Sequence, residues 1–379
     1  MDHPRDEHQI TQRVRRGGTW IACAQVASQV WGFLILAILY RWVGNVPYGL
    51  LGMVLVPVAL ARIFLTSGLD VAAVQDEKLT EDQLSALFWM NQFLGVATAL
   101  AIGCSAPLLV RFYHEPRVGP VAWAMAGTTV VTALGLQHQA LLQRRLRLGV
   151  LAVLRVVSQL VGGVAAVAVA WSIGGVWALI TQQYAELVTL AVLAWWFEPW
   201  RPRLRLFGVG TRRLLRFGTN YTFSSLMFFL STNIDKALIG HFFGASVLGL
   251  YGQAFNLAMK PVHTIVTPLT GIMLPALSRA QNDRAAYHRL LRSFVRFLAL
   301  SLLPCGVGLA LTAPEAILVL GGKEWAAAGT MLAVLAMAIP FQGVLNALGS
   351  VYASVGRADR LAIASCGVAA VLAAAFAAA

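Results

Sequence analysis

The chain has 379 residues, of which 58% are hydrophobic and only 12% are charged, and its formal net charge is +13. Because a soluble globular protein carries about 25% charged residues, this composition excludes a soluble protein and predicts an all-α polytopic membrane protein. Residues 1–18 are hydrophilic and the apolar run after them is long enough to cross a bilayer, so we expect no cleavable signal peptide.

Eleven apolar segments follow along the chain, most of them near the ~20 residues that span a hydrocarbon core. Their connections are mostly short, so neighbouring helices are expected to run antiparallel. Thr80 and Gln83 have the spacing of a capping box that opens the third helix. The segments lie at 19–40, 46–66, 85–111, 118–141, 151–171, 174–197, 217–240, 246–275, 293–312, 326–353 and 361–379.

Lysine and arginine are distributed unequally between alternate connections. With the N-terminus in the cytoplasm, twenty of these residues lie in cytoplasmic regions and four on the opposite face. Cytoplasmic loops of membrane proteins are enriched in Lys and Arg, so we predict a multi-pass membrane protein with a cytoplasmic N-terminus. The same asymmetry explains the net charge without a nucleic-acid partner. For the arginine-rich stretch 201–216, contact with anionic lipid is a second interpretation.

A glycine pattern occurs twice, in the first and the seventh connection, at an offset of 200 residues. A weaker echo joins segment 4 to segment 10, so the repeating unit is six helices long. Because six is even, both copies have the same orientation, which predicts two six-helix lobes related by an axis along the membrane normal. The matching pairs are Gly44/Gly244, Gly49/Gly249, Leu50/Leu250 and Gly52/Gly252.

The repeat predicts a division of the chain into four parts. These are a cytoplasmic N-terminal tail (1–18), an N-lobe (19–197), a basic cytoplasmic linker (198–216) and a C-lobe (217–379). A complete second lobe needs a twelfth helix, whereas the sequence stops within the eleventh segment. We therefore expect a C-terminal truncation.

Polar side chains recur at helical spacing on segments 7 and 8. A polar face is costly against lipid, so each stripe predicts either a seam between helices or a wet cavity. The stripe on segment 8 includes a cation and an imidazole, which favours the cavity. The stripes comprise Asn220, Ser224, Ser231 and Asp235 on segment 7, and Gln253, Asn256, Lys260, His263, Thr264 and Thr267 on segment 8.

Several charges lie within predicted membrane segments. A charge at mid-bilayer costs about 2.5–3.5 kcal/mol, so it needs a partner, water or a purpose. Lys260 and Arg62 are expected to meet either an anionic ligand or an internal carboxylate, and Glu186 and Asp235 are the candidate carboxylates. Lys236 lies about 100° from Asp235 around the helix and is expected to snorkel outward.

Segment 8 is predicted to bend. Pro261 and Pro268 each remove a backbone donor and permit a kink. Together with the repeated Gly244 and Gly249, they predict a gate or hinge. The four cysteines lie in apolar segments without metal or disulfide spacing, so we expect free thiols and neither a metal nor a cofactor.

The predicted helices 7 and 8 resemble those of a known family. The region 217–283 is similar to the corresponding helices of oligosaccharide flippases of the colanic-acid and teichuronic-acid exporter type, in the multidrug/oligosaccharidyl-lipid/polysaccharide (MOP) superfamily. Relatives commonly have Arg where this chain has Thr232 and His241, so these two positions depart from the pattern. The shared motifs are carried by Asn233, Asp235, Leu238, Ile239, Gly240, Gly244, Leu248, Gly249, Tyr251, Pro275, Leu277, Ser278 and Arg279.

The resemblance implies a transporter and not an enzyme. It implies that a polyprenyl-diphosphate-linked oligosaccharide is translocated across the bacterial inner membrane by alternating access, for cell-surface polysaccharide and lipopolysaccharide biosynthesis. Expected partners are this lipid-linked oligosaccharide, membrane lipids, and polysaccharide polymerase or export machinery. The implied roles are diphosphate binding by Lys260 and Arg62, further substrate contacts by His263, Asn256, Gln253 and Asn220, and ion coupling by Asp235 or Glu186.

Other functions stay open. A peptidoglycan lipid-precursor flippase also handles a diphosphate, and a drug/cation antiporter shares the two-lobe plan. A membrane glycan polymerase or ligase is disfavoured, because the outer connections are short and Glu115, Glu315 and Glu324 show no paired spacing. We find no nucleotide-binding glycine loop or nucleophile elbow. A helper or scaffold role is open if the chain is truncated and inactive.

Overall fold

The computed structural model describes residues 27–66, 80–145, 147–203, 211–281 and 283–354. Within these ranges all regular elements are helices, which confirms the all-α prediction. A short 3₁₀ turn, Lys323–Trp325, precedes α9. The helices are α1 (Ala27–Val43), α2 (Asn45–Thr66), α3 (Glu81–Tyr113), α4 (Val118–Arg144), α5 (Leu148–Ser172), α6 (Val176–Phe197), α7 (Thr211–Arg279), α8 (Arg284–Gly321), α9 (Ala326–Met337) and α10 (Ile339–Ser354).

Seven helices in the described ranges are long and apolar enough to cross a membrane, or eight if the bent pair α9–α10 is one span. The count of eleven stays a prediction, and the eleventh segment, 361–379, lies outside the described residues. The apolar segment predicted at 326–353 is not one continuous helix, because α9 and α10 meet at a 52° bend. Pro340 lies next to this break and lacks the backbone N–H that a continuous helix needs.

Local sequence signals explain where two helices begin. The Thr80 hydroxyl accepts a hydrogen bond from the Gln83 N–H (3.3 Å), and the Gln83 side chain accepts one from the Thr80 N–H (2.9 Å). This reciprocal pair is the predicted capping box at the start of α3. At α8, the Asp283 carboxylate accepts from the N–H groups of Ala285 and Ala286. Both caps satisfy donors that a helix start leaves unpaired.

The chain divides into two compact units. The first unit comprises residues 1–43 and 54–226, and the second comprises residues 44–53 and 227–379. Helix α2 therefore contributes its first turns to the second unit and its remainder to the first. The four-part division predicted from the repeat stays a prediction.

In the first unit, α3 packs on α4, α5 on α6, and α4 on α6. Small residues allow the close approach of α3 and α4: a Cβ added at Gly95 would lie 2.8 Å from the Ala133 Cβ. The Thr129 hydroxyl also donates across this contact to the Gly95 carbonyl (3.0 Å). Interhelical contacts of this kind are typical of membrane helices, which gain little from hydrophobic burial against lipid.

In the second unit, α8 packs against α9 and α10. Leu298, Leu302 and Ile317 of α8 are fully buried in this contact region. Trp325, in the turn before α9, is also fully buried and meets the Tyr48 ring edge-on, with ring centroids 5.5 Å apart. The start of α2 is thereby held within the second unit.

Candidate functional site

Helix α7 is two helices joined at a glycine. Gly244 has φ 76° and ψ −176°, a backbone conformation outside the helical region, and it separates a first arm (211–243) from a second arm (245–279). Only glycine adopts this region readily. The break lies in the short connection that the sequence predicts between segments 7 and 8. Whether Gly244 acts as a hinge stays a prediction.

Polar contacts connect the two arms. The Tyr251 hydroxyl of the second arm donates to Asp235 Oδ2 of the first arm (2.5 Å). Lys236 Nζ donates to Asn233 Oδ1 (3.0 Å) and lies 5.0 Å from the centroid of the Phe255 ring. We call these five residues the α7 brace. The predicted snorkelling of Lys236 is wrong, because its ammonium bonds a neighbouring amide and covers an aromatic face of the other arm.

Asp235 is only partly satisfied within the brace. Its Oδ2 receives the tyrosine hydrogen bond, while its Oδ1 is buried with no hydrogen-bond partner among the described residues. A buried carboxylate oxygen without a donor is costly. The ion-coupling role that the sequence suggests for Asp235 stays a prediction.

The second arm of α7 separates an apolar face from a polar stripe. Ala254, Leu257, Ala258 and Val262 are buried, as expected for positions three or four residues apart. The residues of the stripe and the two prolines of this arm differ in exposure. Gln253, Lys260 and Pro261 are half-buried, whereas Asn256, His263 and Pro268 are exposed. The side chain of Asn220, predicted on the same site from the first arm, lies outside the described residues.

Arg62 and Glu186 are brought together in the first unit. Both side chains are half-buried, and their charges are close enough to interact electrostatically. Glu186 lies where α5 and α6 approach closely, since a Cβ added at Gly162 would be 3.1 Å from the Glu186 Cβ. Of the two predicted carboxylate partners, Glu186 is therefore the one beside Arg62. Lys260 belongs to the second unit.

The repeated glycines make reciprocal contacts. A Cβ added at Gly49 would lie 1.6 Å from the carbonyl oxygen of Ala245, and one added at Gly249 would lie 2.1 Å from the carbonyl oxygen of Asn45. Asn45 and Ala245 are themselves 200 residues apart, the offset of the repeat. The start of α2 and the start of the second arm of α7 thus cross with a local two-fold relationship, and both glycines are required for that closeness.

A buried polar cluster in the first unit was not predicted. Asn91, Gln137 and His138 are fully buried, and both amide atoms of Asn91 and Gln137 lack a partner among the described residues. Asn91 is one turn from Gly95 and Gln137 is one turn from Ala133, so their positions face each other across α3 and α4. The sequence signal is the polar triplet 137–139 inside an apolar segment. Most buried polar side chains have a hydrogen-bond partner, so these two amides are exceptions among the described residues.

His138 is held by aromatic groups at the end of this cluster. Its ring stacks on Trp195, with centroids 4.2 Å apart, and its Nε2 lies 3.2 Å from the Trp200 carbonyl oxygen. In the described part of the chain no group of three His, Cys, Asp or Glu residues could hold a metal ion. Cys104 and Cys305 are free thiols.

Comparison with known proteins gives a family match. The family described as "Polysaccharide biosynthesis protein" matches residues 38–347. Teichuronic acid biosynthesis protein TuaB of Bacillus subtilis (strain 168) is 27% identical over 353 residues, which cover 92% of this chain and 73% of that protein. Succinoglycan biosynthesis transport protein ExoT of Rhizobium meliloti (strain 1021) is 23% identical over 333 residues, covering 88% and 67%.

Among solved structures, the fold is similar to the inward-facing conformation of a multidrug resistance MATE family transporter of the MOP superfamily. The TM-score is 0.69 at 12% sequence identity, and the match covers 88% of this chain and 82% of that one. At this identity the similarity concerns the fold alone.

Proposed function

The chain belongs to the polysaccharide biosynthesis protein family, and from this membership we propose that it is a flippase that translocates a polyprenyl-diphosphate-linked oligosaccharide across the inner membrane. The observation that carries the proposal is the family match over residues 38–347 on a fold similar to a MOP superfamily transporter. TuaB and ExoT are named for the biosynthesis of teichuronic acid and succinoglycan, and ExoT is named a transport protein. The chain itself is a multi-pass membrane protein.

The proposed architecture is two six-helix lobes related by a parallel repeat, with about eleven spans and a cytoplasmic N-terminus. The reciprocal contacts of Gly49 and Gly249 support the repeat, because they relate two turns through one local two-fold. The excess of Lys and Arg in alternate connections supports the orientation. In such a protein, the substrate cavity opens to one side of the membrane at a time, and the hinge positions are Gly244, Gly249, Pro261 and Pro268.

In the proposed mechanism, Arg62 and Lys260 receive the diphosphate. A guanidinium or ammonium group in a dry site forms strong charge-assisted hydrogen bonds with phosphate oxygens. Glu186 balances the charge of Arg62 while the substrate is absent, and the arriving diphosphate takes its place as the partner. Amides and the imidazole of the stripe, on Gln253, Asn256 and His263, contact further polar groups of the substrate, as does Asn220.

Ion coupling follows from the two carboxylates. When a diphosphate neutralises Arg62, Glu186 loses the cation that stabilises its charged form, so proton uptake by Glu186 is favoured. Asp235 is the second candidate, because its buried Oδ1 has no hydrogen-bond partner among the described residues. No step requires a covalent intermediate or a cofactor, so the proposal assigns transport and not an enzymatic reaction. Polysaccharide polymerase and export machinery are the proposed partners.

The experiment is binding of a polyprenyl-diphosphate glycan to the purified full chain. We expect Arg62→Ala and Lys260→Ala each to weaken binding by about tenfold or more, the loss of a hydrogen bond to a charged group. Arg117→Ala is the matched control, because Arg117 pairs with Glu115 in a connection (2.9 Å) and should leave binding unchanged. Unchanged binding in both cavity variants would overturn the assignment.

Glu186→Gln gives a result in the opposite direction. Removing the carboxylate deletes the resident partner of Arg62, so diphosphate binding should tighten while its pH dependence weakens.

A drug/cation antiporter is the second candidate, since the fold is also similar to that of a multidrug transporter. That function predicts binding of an organic cation that Glu186→Gln weakens, so the sign of the effect separates the two functions.

A further inference from the structure

One end of the first unit gathers arginines from connections that are far apart in the sequence. This end, which we call the arginine end, consists of the start of α3, the α4–α5 connection and residues 198–203 after α6. Arg147 Nη1 donates to the carbonyl of Phe197 (2.9 Å), and Trp89 Nε1 donates to the carbonyl of Arg203 (2.9 Å). The end of α6 is therefore bonded to the residue that precedes α5, and the segment after α6 is bonded to α3.

Two arginines of this end are neutralised by carboxylates. Arg145 Nη1 lies 3.0 Å from Oε1 of Glu198, whose side chain is fully buried. Arg203 Nη2 lies 3.3 Å from Oε2 of Glu81. These pairs balance their own charges, so they leave little positive charge for an outside ligand.

Two other arginines of this end are positioned by backbone carbonyl groups. Arg201 Nη1 donates to the carbonyls of Trp195, Glu198 and Trp200 at 3.2, 3.1 and 2.9 Å, and its guanidinium lies 5.4 Å from the centroid of the Trp195 ring. Arg147 is bonded to a carbonyl in the same way. Among the described residues neither is in a salt bridge, and both are exposed. Carbonyl groups orient a guanidinium but do not cancel its charge.

Exposed aromatic side chains adjoin these two cations. Trp196 is 81% exposed and Phe197 is 41% exposed, and both lie at the end of α6 that Arg147 and Arg201 contact. Tryptophan is enriched at membrane–water interfaces, where its ring lies at the level of the head groups. We therefore expect Arg147 and Arg201 to lie at the level of the lipid head groups.

We propose that the arginine end binds the head-group phosphate of an anionic phospholipid through Arg147 and Arg201, with Trp196 and Phe197 against its acyl chains. The guanidinium matches phosphate geometry through paired N–H donors. A phospholipid fits better than a soluble anion, because exposed aromatic side chains lie beside the cations. The site is separate from the substrate cavity of the proposed flippase and does not depend on that function.

The test uses the purified full chain in zwitterionic detergent, titrated with dioleoyl-phosphatidylglycerol, dioleoyl-phosphatidylcholine or inorganic phosphate. Bound lipid is counted by native mass spectrometry. A basic residue near the surface contributes about 1 kcal/mol to anionic-lipid binding, so Arg147→Gln and Arg201→Gln should each weaken phosphatidylglycerol binding about fivefold, and the double variant more than tenfold. Arg117→Gln, whose cation is paired with Glu115, should bind as the wild type does.

Three results would overturn the proposal. If phosphatidylcholine binds as well as phosphatidylglycerol, the contact is made by acyl chains. If inorganic phosphate binds as well, the site is one for free anions. If the double variant still binds phosphatidylglycerol, these two arginines are excluded as the site. If the double variant fails to fold, Arg147→Lys/Arg201→Lys keeps the charge and should keep most of the binding. Trp196→Ala, a surface change, should weaken lipid binding without lowering the melting temperature of the lipid-free chain.

Discussion

The two glycine turns, Val43–Gly52 and Phe243–Gly252, share backbone geometry but differ in their surroundings. Gly44 and Gly244 have nearly the same positive φ, 75° and 76°. A Cβ added at Gly44 would lie 3.4 Å from a Glu324 carboxylate oxygen, whereas one added at Gly244 would meet nothing within 4 Å. The repeat is thus retained where the backbone requires glycine, while the contacts around it have diverged.

The divergence is chemical as well as steric. The first-copy positions that correspond to Asp235 and Tyr251 are Ile35 and Leu51, and both are buried apolar residues. Of these matching pairs, only the second copy carries the polar brace. In the first copy, the positions that correspond to the brace are buried and apolar. The second copy has the same backbone turn and adds a partly hydrogen-bonded carboxylate beside it.

The largest effect is expected at the reciprocal glycines. Gly49→Ala and Gly249→Ala each place a methyl group within about 2 Å of a backbone oxygen, so the helices must separate. Overpacking of this kind costs about 1–3 kcal/mol, occasionally more. Both variants should lower the melting temperature in detergent by several degrees. Gly252→Ala is the matched control, with nothing within 4 Å, and an equal loss there would contradict the steric explanation.

A comparable loss of stability is expected when a hydrogen bond of the α7 brace is removed. Tyr251→Phe removes the hydroxyl that donates to Asp235 Oδ2, and a hydrogen bond to a charged group contributes about 1.5–3 kcal/mol. The double variant Asp235→Leu/Tyr251→Phe converts the brace to the apolar character of the first copy and should recover stability. Thermal unfolding of the single and double variants measures this coupling. If the double variant is as unstable as Tyr251→Phe, the unpartnered carboxylate of Asp235 does not cause the loss of stability.

A loss of stability is also expected when Gly244, which has a positive φ, is replaced by alanine. Alanine at this φ and ψ is strained by about 1–3 kcal/mol, and no neighbouring atom adds a clash. Gly244→Ala should therefore destabilise the chain through its backbone alone. Gly308→Ala, in the helical interior of α8 with open space around it, should instead be neutral or stabilising because alanine favours helices. Melting temperatures that move together in the two variants would contradict this difference.

The smallest effect is a pH dependence at the start of α8. Hydrogen bonds from the N–H groups of Ala286 and Ala285 hold the pKa of Asp283 below its ordinary value. A lowered folded-state pKa stabilises the protein above the unfolded pKa of about 4, and this contribution is lost as pH falls through the folded pKa. Asp283→Asn keeps a capping acceptor but does not titrate. Its stability should therefore depend less on pH below about 4 than that of the wild type.

Local signals in the sequence predicted a large part of the fold. Composition and apolar segment length predicted a helical membrane protein, and Thr80 with Gln83 predicted the start of α3. These features depend on neighbouring residues, so they are readable from a short window. The bend between α9 and α10 was missed although Pro340 marks it, because proline is common in membrane helices and does not by itself say whether a helix breaks.

The candidate site was less predictable. The sequence singled out Arg62, Glu186 and Lys260 as costly charges, but it could not say that Glu186 and not Asp235 lies beside Arg62. It also gave no reason to expect Lys236 to cover Phe255. These are contacts between helices, and their partners depend on how each helix is rotated about its axis.

By itself, then, the sequence determined the class of protein, the helical segments and the positions where glycine and polar residues recur, because hydrophobicity, helical period and backbone freedom are local properties. Only the tertiary structure decided that Gly49 and Gly249 cross reciprocally, that Asn91 and Gln137 face each other, and that Arg147 and Arg201 both bond carbonyls at the end of α6 that carries Trp196. Each of these is a juxtaposition of residues distant in the chain, fixed by the packing of whole helices and not by any one segment.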